Sequence, residues 1–365
     1  MATEARSRAR LDPEVFRLPV ERIRSGYYTD AYFNLTKELL EEESRHPRVT
    51  MQVFQKQGSV LGGIDEAVAV LKQCSGRSTL DGWQPGWDHL EVRALHEGDA
   101  ITPFEPVLEI EGDYSLFAHL ETVYLGCMAR RTLVMRNVRE VVEAARGKPI
   151  LFFPARHDHW LVQTGDGWAA HVAGAIGVST DAQASWWGGR GVGTVPHALI
   201  AAYGGDTVAA ARAFADKYSH EMNVTVLVDF DNDSVRTSLE VADALGDKLW
   251  GVRLDTSERM VDRALWADMG ESEPTGVTPD LVSRVRKALD QAGHERVRIV
   301  TSGGFDAAKI RRFEELRAPV DSYGVGSSLL RGQNDFTADV VHLDGRECAK
   351  AGRQFRRNPR LEAVD

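Results

Sequence analysis

The first candidate functional segment of the chain is GGRGVGTVPHALIAAYGG, from Gly188 to Gly205. This stretch contains six glycines, one proline and a histidine, His197, four residues after Gly193. A glycine-dense turn that leads into a helix is expected to place the imidazole at the mouth of a pocket. Taken alone, His197 could be a general base, a metal ligand or a buried imidazole.

Carboxylates follow two apolar, strand-like runs further along the chain. The sequence DFDND contains Asp229, Asp231 and Asp233, and RLDTSE contains Asp255. These side chains suit a ribose diol and a magnesium ion, because Mg²⁺ usually takes one or two carboxylates together with substrate oxygens. Asp233 has the simpler interpretation of a helix cap.

Two arginines, Arg156 and Arg253, stand at similar positions after strand-like runs. A guanidinium binds a carboxylate through two hydrogen bonds and stacks on rings, so both residues suit a planar acidic substrate. His157 and His159 flank Asp158 next to Arg156, but this spacing is a weak indication of a metal site because no third distant ligand accompanies it.

Two glycine-rich loops near the end of the chain, TSGGFD (Thr301–Asp306) and GVGSSL (Gly324–Leu329), are typical of phosphate-binding sites. Consecutive free amides before a helix form an anion site. Two such loops after successive strands match the phosphate site of α/β barrels, although glycines also make tight turns. The expected phosphate contacts are Gly303, Gly304, Gly324, Gly326 and Ser327.

From Pro149 onward, strand-like runs alternate with helical patterns, which predicts a parallel sheet with crossover helices. The predicted strands are Ile150–Phe153, Gly174–Val178, Val224–Val228, Leu249–Leu254, Val297–Thr301 and Val320–Val325. The predicted helices are Thr207–Tyr218, Ser234–Leu245, Pro279–Ala292 and Asp306–Leu316. Six or more units favour a closed or nearly closed barrel, with the active face at the strand ends.

The residues before this region predict a different, α+β organisation. Helices are expected within Ser25–Glu43, Gly62–Gln73 and Leu116–Val138, and antiparallel strands within Arg48–Gln57 and Glu91–Thr122. We therefore predict an N-terminal domain over 1–138 and a barrel domain over 139–332. The tail 333–365 is expected to pack back on the first domain or to fray.

Composition limits the class of protein. The 365 residues carry a formal net charge of −10, which argues against a nucleic-acid binder but permits an anionic substrate at local positive sites. The three cysteines form no CxxC pair, so we expect a reducing, cytoplasmic location. No membrane span is predicted, and the start MATEARSRARLDPE has no apolar core of a signal peptide.

These residues together resemble the nicotinate phosphoribosyltransferase family, in its shorter archaeal and bacterial form, from about Tyr27 to Leu330. The segments stand in the family's order, and GTVPHALI with VRLDTS and GVGSSL is the specific part. The segments are YTDAYF, EGD…FEPVLEIEG, LET, AR, GTVPHALI, LVDFD, VRLDTS, TSGGFD and YGVGSSL. The resemblance implies an irregular, incomplete TIM-like α/β barrel plus an N-terminal α/β sandwich-like domain.

The family joins nicotinate to 5-phosphoribosyl 1-diphosphate with coupled ATP hydrolysis, in NAD salvage. The resemblance implies that His197 is the phosphorylated histidine and that Tyr32 and Arg156 hold the pyridine ring and its carboxylate. Arg253 is expected against the same substrates, and Asp229, Asp231 and Asp255 at the ribose and magnesium. The remaining matched substrate residues are Thr194, Ser302 and the five phosphate contacts.

The resemblance also implies a head-to-tail homodimer or higher oligomer, in which Tyr32 serves the neighbour's site. One departure concerns the common RLDSGD, which here reads RLDTSE, so that Ser257 and Glu258 replace the glycine turn and its acid. The cysteine-rich tail of some archaeal members is absent from this sequence. These changes bear on the phosphate contacts and on ATP coupling.

Three alternatives remain open at this point. The chain could use nicotinamide or quinolinate, and quinolinate should need a denser cluster of cations because it carries two carboxylates. It could be a non-catalytic relative that binds nucleotide. A barrel aldolase or isomerase would commonly have a lysine at a strand end, and none of the strand ends named above has one.

Overall fold

The fold is that of a computed structural model, which describes residues 9–270 and 274–365. The sequence pattern predicts a polar lead-in over residues 1–19 and a loop at Ser272–Gly276. The first eight residues of the lead-in, and Ser272 and Glu273 of the loop, lie outside the described ranges.

The described residues form sixteen strands. In chain order they are β1 (Arg48–Phe54), β2 (Ser59–Val60), β3 (Gly76–Thr79), β4 (Gly82–Pro85), β5 (Leu90–Ala94), β6 (Ala100–Ile101), β7 (Leu108–Asp113), β8 (Ile150–Phe152), β9 (Gly177–Val178), β10 (Val224–Leu227), β11 (Leu249–Leu254), β12 (Arg298–Thr301), β13 (Ser322–Val325), β14 (Thr337–Leu343), β15 (Arg346–Glu347) and β16 (Glu362–Ala363).

The same residues form eleven α-helices, joined in places by single 3-10 turns. The helices are α1 (Val20–Arg24), α2 (Ala31–Glu42), α3 (Ile64–Cys74), α4 (Glu121–Ala144), α5 (Gln163–Ala173), α6 (Asp181–Ala184), α7 (His197–Ala202), α8 (Thr207–Tyr218), α9 (Ser234–Leu245), α10 (Pro279–Gln291) and α11 (Ala307–Glu315). Among the described residues, no helix is both long and apolar enough to cross a membrane.

The chain divides into two compact units, and the division falls inside α4. The first unit comprises the residues up to Arg136 together with Gly332–Asp365, and the second comprises Asn137–Arg331.

The first unit is built on a six-stranded antiparallel sheet with the order β15-β14-β1-β7-β5-β16. Alternate residues of β1 point to one face, where Val49, Met51 and Val53 join a buried cluster with residues of α3. The C-terminal tail supplies three of the six strands, since β14 pairs with β1 and β16 pairs with β5. The tail is therefore part of the sheet, and the alternative expectation of a frayed end is not what the structure shows.

The second unit is built on a parallel sheet with the order β10-β11-β12-β13-β8-β9. One short segment links its two edge strands. The N–H of Val192 donates to the carbonyl of Val178 at 2.7 Å, and the N–H of Val195 donates to the carbonyl of Thr225 at 2.9 Å. The predicted irregular, incomplete barrel is confirmed, with a segment of four residues in the position of a further strand.

Four helices of this unit, α8 to α11, start at residues whose side chains cap them. The side chain of each cap accepts a hydrogen bond from the backbone N–H three residues later, which satisfies one free donor of the helix start. These caps are Asp206, Asp233, Thr278 and Asp306. Asp233 therefore acts as a helix cap, as its position suggested.

Candidate active site

Most of the predicted site residues of the second unit lie at the carboxyl edge of its parallel sheet. All strands of such a sheet point the same way, so the residues that follow them meet at one edge. Asp229 follows β10, Arg253 lies near the end of β11 with Asp255 just after it, Ser302 follows β12, and Gly326 follows β13.

Arg253 is fixed by its neighbours on three sides. Its Nε donates to Ser302 Oγ at 2.7 Å, its Nη1 lies 3.5 Å from Thr194 Oγ1, and its Nη2 lies 3.6 Å from Asp255 Oδ2. The hydroxyl of Ser302 in turn donates to Asp255 Oδ1 at 2.7 Å. Burial lowers the pKa of the guanidinium while the carboxylates of Asp255 and Asp229 raise it, and an arginine remains charged in such a setting.

The aromatic ring of Phe153 also contacts Arg253. The guanidinium carbon lies 4.9 Å from the centre of the ring. The ring also packs on β13, since a Cβ added to Gly324 would lie 2.7 Å from Phe153 Cδ2. Only a glycine at 324 leaves room for the ring. Sequence reasoning missed this role of Phe153, the last residue of the predicted strand Ile150–Phe153.

His197, the first residue of α7, is bound to Asp229. The distance from Nε2 to Asp229 Oδ1 is 2.9 Å, and because a carboxylate only accepts, Nε2–H is the donor. The hydrogen bond to Asp229 raises the pKa of His197, burial opposes the shift, and the charge of Asp255 adds to it. The imidazole is 42% exposed and the Asp229 side chain is 8% exposed. Nδ1 is therefore the nitrogen left for a ligand.

The two predicted phosphate loops lie side by side. The hydroxyl of Ser328 donates to the carbonyl of Phe305 at 2.8 Å and so links them. Within the described part of the chain, the backbone N–H groups of Gly303, Gly304 and Gly326 donate to no protein acceptor. Three unpaired donors on adjoining loops are suited to an anion.

Lys309, in the first turn of α11, supports the first loop. Its Nζ donates to the carbonyl of Gly303 at 3.0 Å and lies 4.4 Å from the centre of the Phe305 ring. Burial lowers the pKa of Lys309, and the nearby carboxylates of Glu258, Asp306 and Asp255 act in the opposite direction. Sequence reasoning missed this lysine because a charged residue in a helical pattern usually indicates the solvent-exposed face of the helix.

Three other predicted residues have fewer contacts with the residues described above. The positive charge of Arg156 acts on the pKa of Arg253, so the two arginines are near each other. Asp231 forms an ion pair with Arg236 at 3.0 Å, on the outer side of α9. Tyr32 belongs to the first unit, where its side chain is 60% exposed.

The carboxylates and histidines do not form a ready-made metal site. Among the described residues, no group of three or more His, Cys, Asp or Glu side chains is arranged to hold a metal ion. Nδ1 of His159 accepts the backbone N–H of Leu161, and a Cβ on Gly326 would lie 3.1 Å from His157 Cε1. The single carboxylates Asp229 and Asp255 still fit Mg²⁺ held mainly by substrate oxygens.

Comparisons with known proteins find nicotinate and quinolinate phosphoribosyltransferases. The family model "Quinolinate phosphoribosyl transferase, N-terminal domain" matches residues 30–132. Nicotinate phosphoribosyltransferase pncB1 of Mycobacterium tuberculosis is 32% identical over 257 residues, which are 69% of this chain and 52% of the relative. The related pncB2 is 31% identical over 267 residues, 70% of this chain and 52% of that protein. The chain thus spans about half the length of the curated relatives it matches.

Solved structures extend the similarity over nearly the whole chain. The crystal structure of nicotinate-nucleotide pyrophosphorylase from Pyrococcus furiosus has a TM-score of 0.78 and 31% identity, covering 95% of this chain and 85% of that one. Human nicotinic acid phosphoribosyltransferase shares the fold, with a TM-score of 0.65 and 18% identity, covering 90% of this chain and 77% of the human one. The chain belongs to the nicotinate phosphoribosyltransferase family and has the type II phosphoribosyltransferase fold.

Proposed function

We propose that the protein is a nicotinate phosphoribosyltransferase of NAD salvage. It joins nicotinate to the ribose of 5-phosphoribosyl 1-diphosphate and releases diphosphate. The observation that carries the proposal is the meeting of a largely buried guanidinium, a carboxylate-bound histidine and two linked loops with free amides at one sheet edge. The names of the relatives from M. tuberculosis support it.

Arg253 and Phe153 form the setting for a planar acidic ring. The guanidinium is held by Ser302 and Asp255, so little conformational freedom is lost when it binds a carboxylate. Arg156 adds a second positive charge, so the site favours the anionic nicotinate over the uncharged nicotinamide. Tyr32 of a neighbouring copy is the predicted partner of the ring.

The phosphoribosyl group occupies the loops. The 5-phosphate accepts hydrogen bonds from the amides of Gly303, Gly304 and Gly326, and Asp255 lies at the ribose. The bond from C1 of ribose to diphosphate breaks while the bond to the pyridine nitrogen forms. The positive charge that develops on the ribose is stabilised by the carboxylates of Asp255 and Asp229.

His197 accepts a phosphoryl group from ATP in this proposal. The Asp229 carboxylate holds Nε2, so Nδ1 attacks the γ-phosphorus of ATP, the bond to the bridging oxygen breaks and ADP leaves. The phosphorylated imidazole brings new negative charge next to the site of diphosphate, and we infer that this reorganises the loop around Thr194. The proposal includes Mg²⁺, which supplies charge neutralisation for diphosphate; Asp229 and Asp255 are the residues that would hold it. Asp231, paired with Arg236, is not included.

A turnover assay tests the proposal. The protein is incubated with 5-phosphoribosyl 1-diphosphate and nicotinate, nicotinamide or quinolinate, with and without ATP, and the mononucleotide product is quantified. We expect product from nicotinate, with a higher rate when ATP is present. Arg253→Gln should reduce kcat/KM at least 100-fold, whereas Arg298→Gln, at the amino end of β12, should leave it unchanged. Turnover of another pyridine in place of nicotinate would refute the assignment.

Quinolinate is the second candidate substrate, and the match of residues 30–132 to the quinolinate phosphoribosyltransferase model favours it. Quinolinate carries two carboxylates, so its site requires more positive charge than one guanidinium. Arg156, Arg253 and Lys309 are the cations at the sheet edge. Release of carbon dioxide together with product in the assay above would establish this alternative.

Assembly and location complete the proposal. The helix α2 buries none of its residues and exposes Tyr32, Leu35 and Leu39 on one side. Large exposed apolar side chains in a row are typical of an interface, which supports the predicted homodimer. Light scattering should give twice the chain mass, and a monomer mass would argue against the homodimer.

The three unpaired cysteines support a cytoplasmic location.

A further inference from the structure

Glu258 lies against the first phosphate loop. Its carboxylate oxygen Oε1 occupies the space into which a Cβ on Gly304 would project, so the contact is with the loop backbone itself. Gly303 and Gly304 have φ angles of 89° and 65°, which also favours glycine at both positions. The loop has the shape to receive an oxygen close to its backbone, and Glu258 places one there.

The sequence explains why this carboxylate reaches the loop. In the motif RLDTSE, Glu258 stands where the common family motif RLDSGD has an aspartate, and the glutamate is one methylene longer. The side chain is exposed, and no other described residue forms a hydrogen bond or an ion pair with it. It can therefore leave the loop by a change of rotamer, without breaking a contact elsewhere.

The charges around the first phosphate loop determine how the contact between Glu258 and Gly304 affects anion binding. Gly303 and Gly304 offer unpaired amides, and the ammonium of Lys309 lies beneath them. The charges of Glu258, Asp306 and Asp255 all act on that ammonium. The site that attracts an anion therefore already contains an anion of its own, and an incoming phosphate meets like charge unless Glu258 moves away.

We propose that Glu258 is an internal competitor for the phosphate loop. Its carboxylate rests against Gly304 and swings out when a phosphoryl group binds. This inference rests on the proposed function, and it makes Glu258 the residue that sets how many further contacts a phosphate ligand needs in order to occupy the loop. The displacement weakens every phosphate ligand by the same factor. A ligand with further contacts, such as a phosphoribosyl diphosphate, still binds, whereas inorganic phosphate is disfavoured.

Calorimetric titration with inorganic phosphate tests the inference directly. Three proteins are compared at one pH and ionic strength: the wild type, Glu258→Gln and Glu295→Gln. Glu295 is an exposed glutamate before the amino end of β12, so this variant has the same net charge without a change at the loop. We expect Glu258→Gln to bind phosphate about tenfold more tightly than the wild type, since one close like charge has been removed. Glu295→Gln should match the wild type.

A crystal structure with phosphate and a kinetic measurement provide the second readout. In the complex, the Glu258 carboxylate should have left Gly304, and the KM for 5-phosphoribosyl 1-diphosphate should fall in Glu258→Gln while kcat stays constant. Equal or weaker phosphate binding by Glu258→Gln, or a complex in which the carboxylate keeps its place, would overturn the inference. Calorimetry measures phosphate binding without turnover. The test of Glu258 can therefore be interpreted even when the nicotinate assay gives no product.

Discussion

At the scale of single residues, Asp229 controls the protonation of His197. A histidine can accept a phosphoryl group only through an unprotonated nitrogen, and the hydrogen bond from Nε2 to Asp229 raises the pKa of the imidazole. Protonated His197 therefore persists to higher pH than an ordinary histidine does. With His197 as the proposed phosphoryl acceptor, we expect an ATP-dependent rate that rises with pH as His197 loses its proton.

Replacement of Asp229 by Asn tests this control. The pKa of His197, followed by NMR on labelled imidazole, should fall in Asp229→Asn because the charged acceptor is lost. The acid limb of the ATP-dependent rate should move to lower pH, and the maximal rate should drop about 100-fold since the ring is no longer oriented. Asp231→Asn, in the same segment but paired with Arg236, serves as the control. An unchanged His197 pKa in Asp229→Asn would contradict the argument.

Gly324 offers a second test at the same scale, through the ring of Phe153. Gly324→Ala should push the ring from its place under Arg253, because the new Cβ would lie 2.7 Å from Phe153 Cδ2. We expect kcat/KM for nicotinate to fall about tenfold or more, with little change in Tm. Gly126→Ala is the matched control, since a Cβ there meets nothing within 4 Å. Equal kinetics of the two variants would show that the Phe153 contact is unimportant.

The places of the candidate site residues in the fold could be predicted from the sequence, but the side chains that they contact could not. The loops and strand ends were visible because glycine runs and charges after apolar runs mark the carboxyl edge of a parallel sheet. Phe153 and Lys309 were missed since their roles depend on what they contact. The pairing of Asp231 with Arg236 was missed for the same reason: Arg236 lies five residues later, on α9.

At the scale of elements, the strongest patterns gave accurate bounds. The predicted and observed ranges of α8, α9 and β11 are the same. The predicted strand Gly174–Val178 shrinks to Gly177–Val178, because Gly174 ends the helix α5 in a left-handed conformation. That helix was missed, since QTGDGWAAHVA contains two glycines and no clear apolar stripe. The tail strands β14–β16 depend on distant partners, which a local pattern does not show.

The start of α3 is an element-scale feature that can be tested. Gly63 has a φ of 78°, and a Cβ there would lie 2.6 Å from the carbonyl oxygen of Cys127 in α4. Gly63→Ala should therefore cost about 2–4 kcal/mol of unfolding free energy, from backbone strain and overpacking together. Gly293→Ala has a similar φ of 81° with open space around it, so it should cost only about 1 kcal/mol. Equal urea midpoints for both variants would exclude a packing contribution.

At the scale of the whole molecule, the acidic chain contains a carboxyl group whose ionisation opposes folding. Glu97, from the sequence motif EGD, accepts the backbone N–H groups of Gly63 and Asp65 at 3.1 and 3.2 Å. Burial, with the charges of Asp65 and Glu66, raises the pKa of Glu97 to about 8. The folded chain thus keeps a proton that the unfolded chain loses at ordinary carboxyl pKa values.

This difference sets the direction of a pH effect on stability. Below about pH 4 both states hold the proton, so the stabilisation linked to Glu97 is fully present, and it is lost as pH rises through about 8. Between pH 5 and pH 9 the wild type should therefore lose at least about 1 kcal/mol more unfolding free energy than Glu97→Gln, which cannot ionise. Urea unfolding at both pH values measures the difference, with the exposed Glu315→Gln as control. Parallel losses in the wild type and Glu97→Gln would show that Glu97 is ionised in the folded protein.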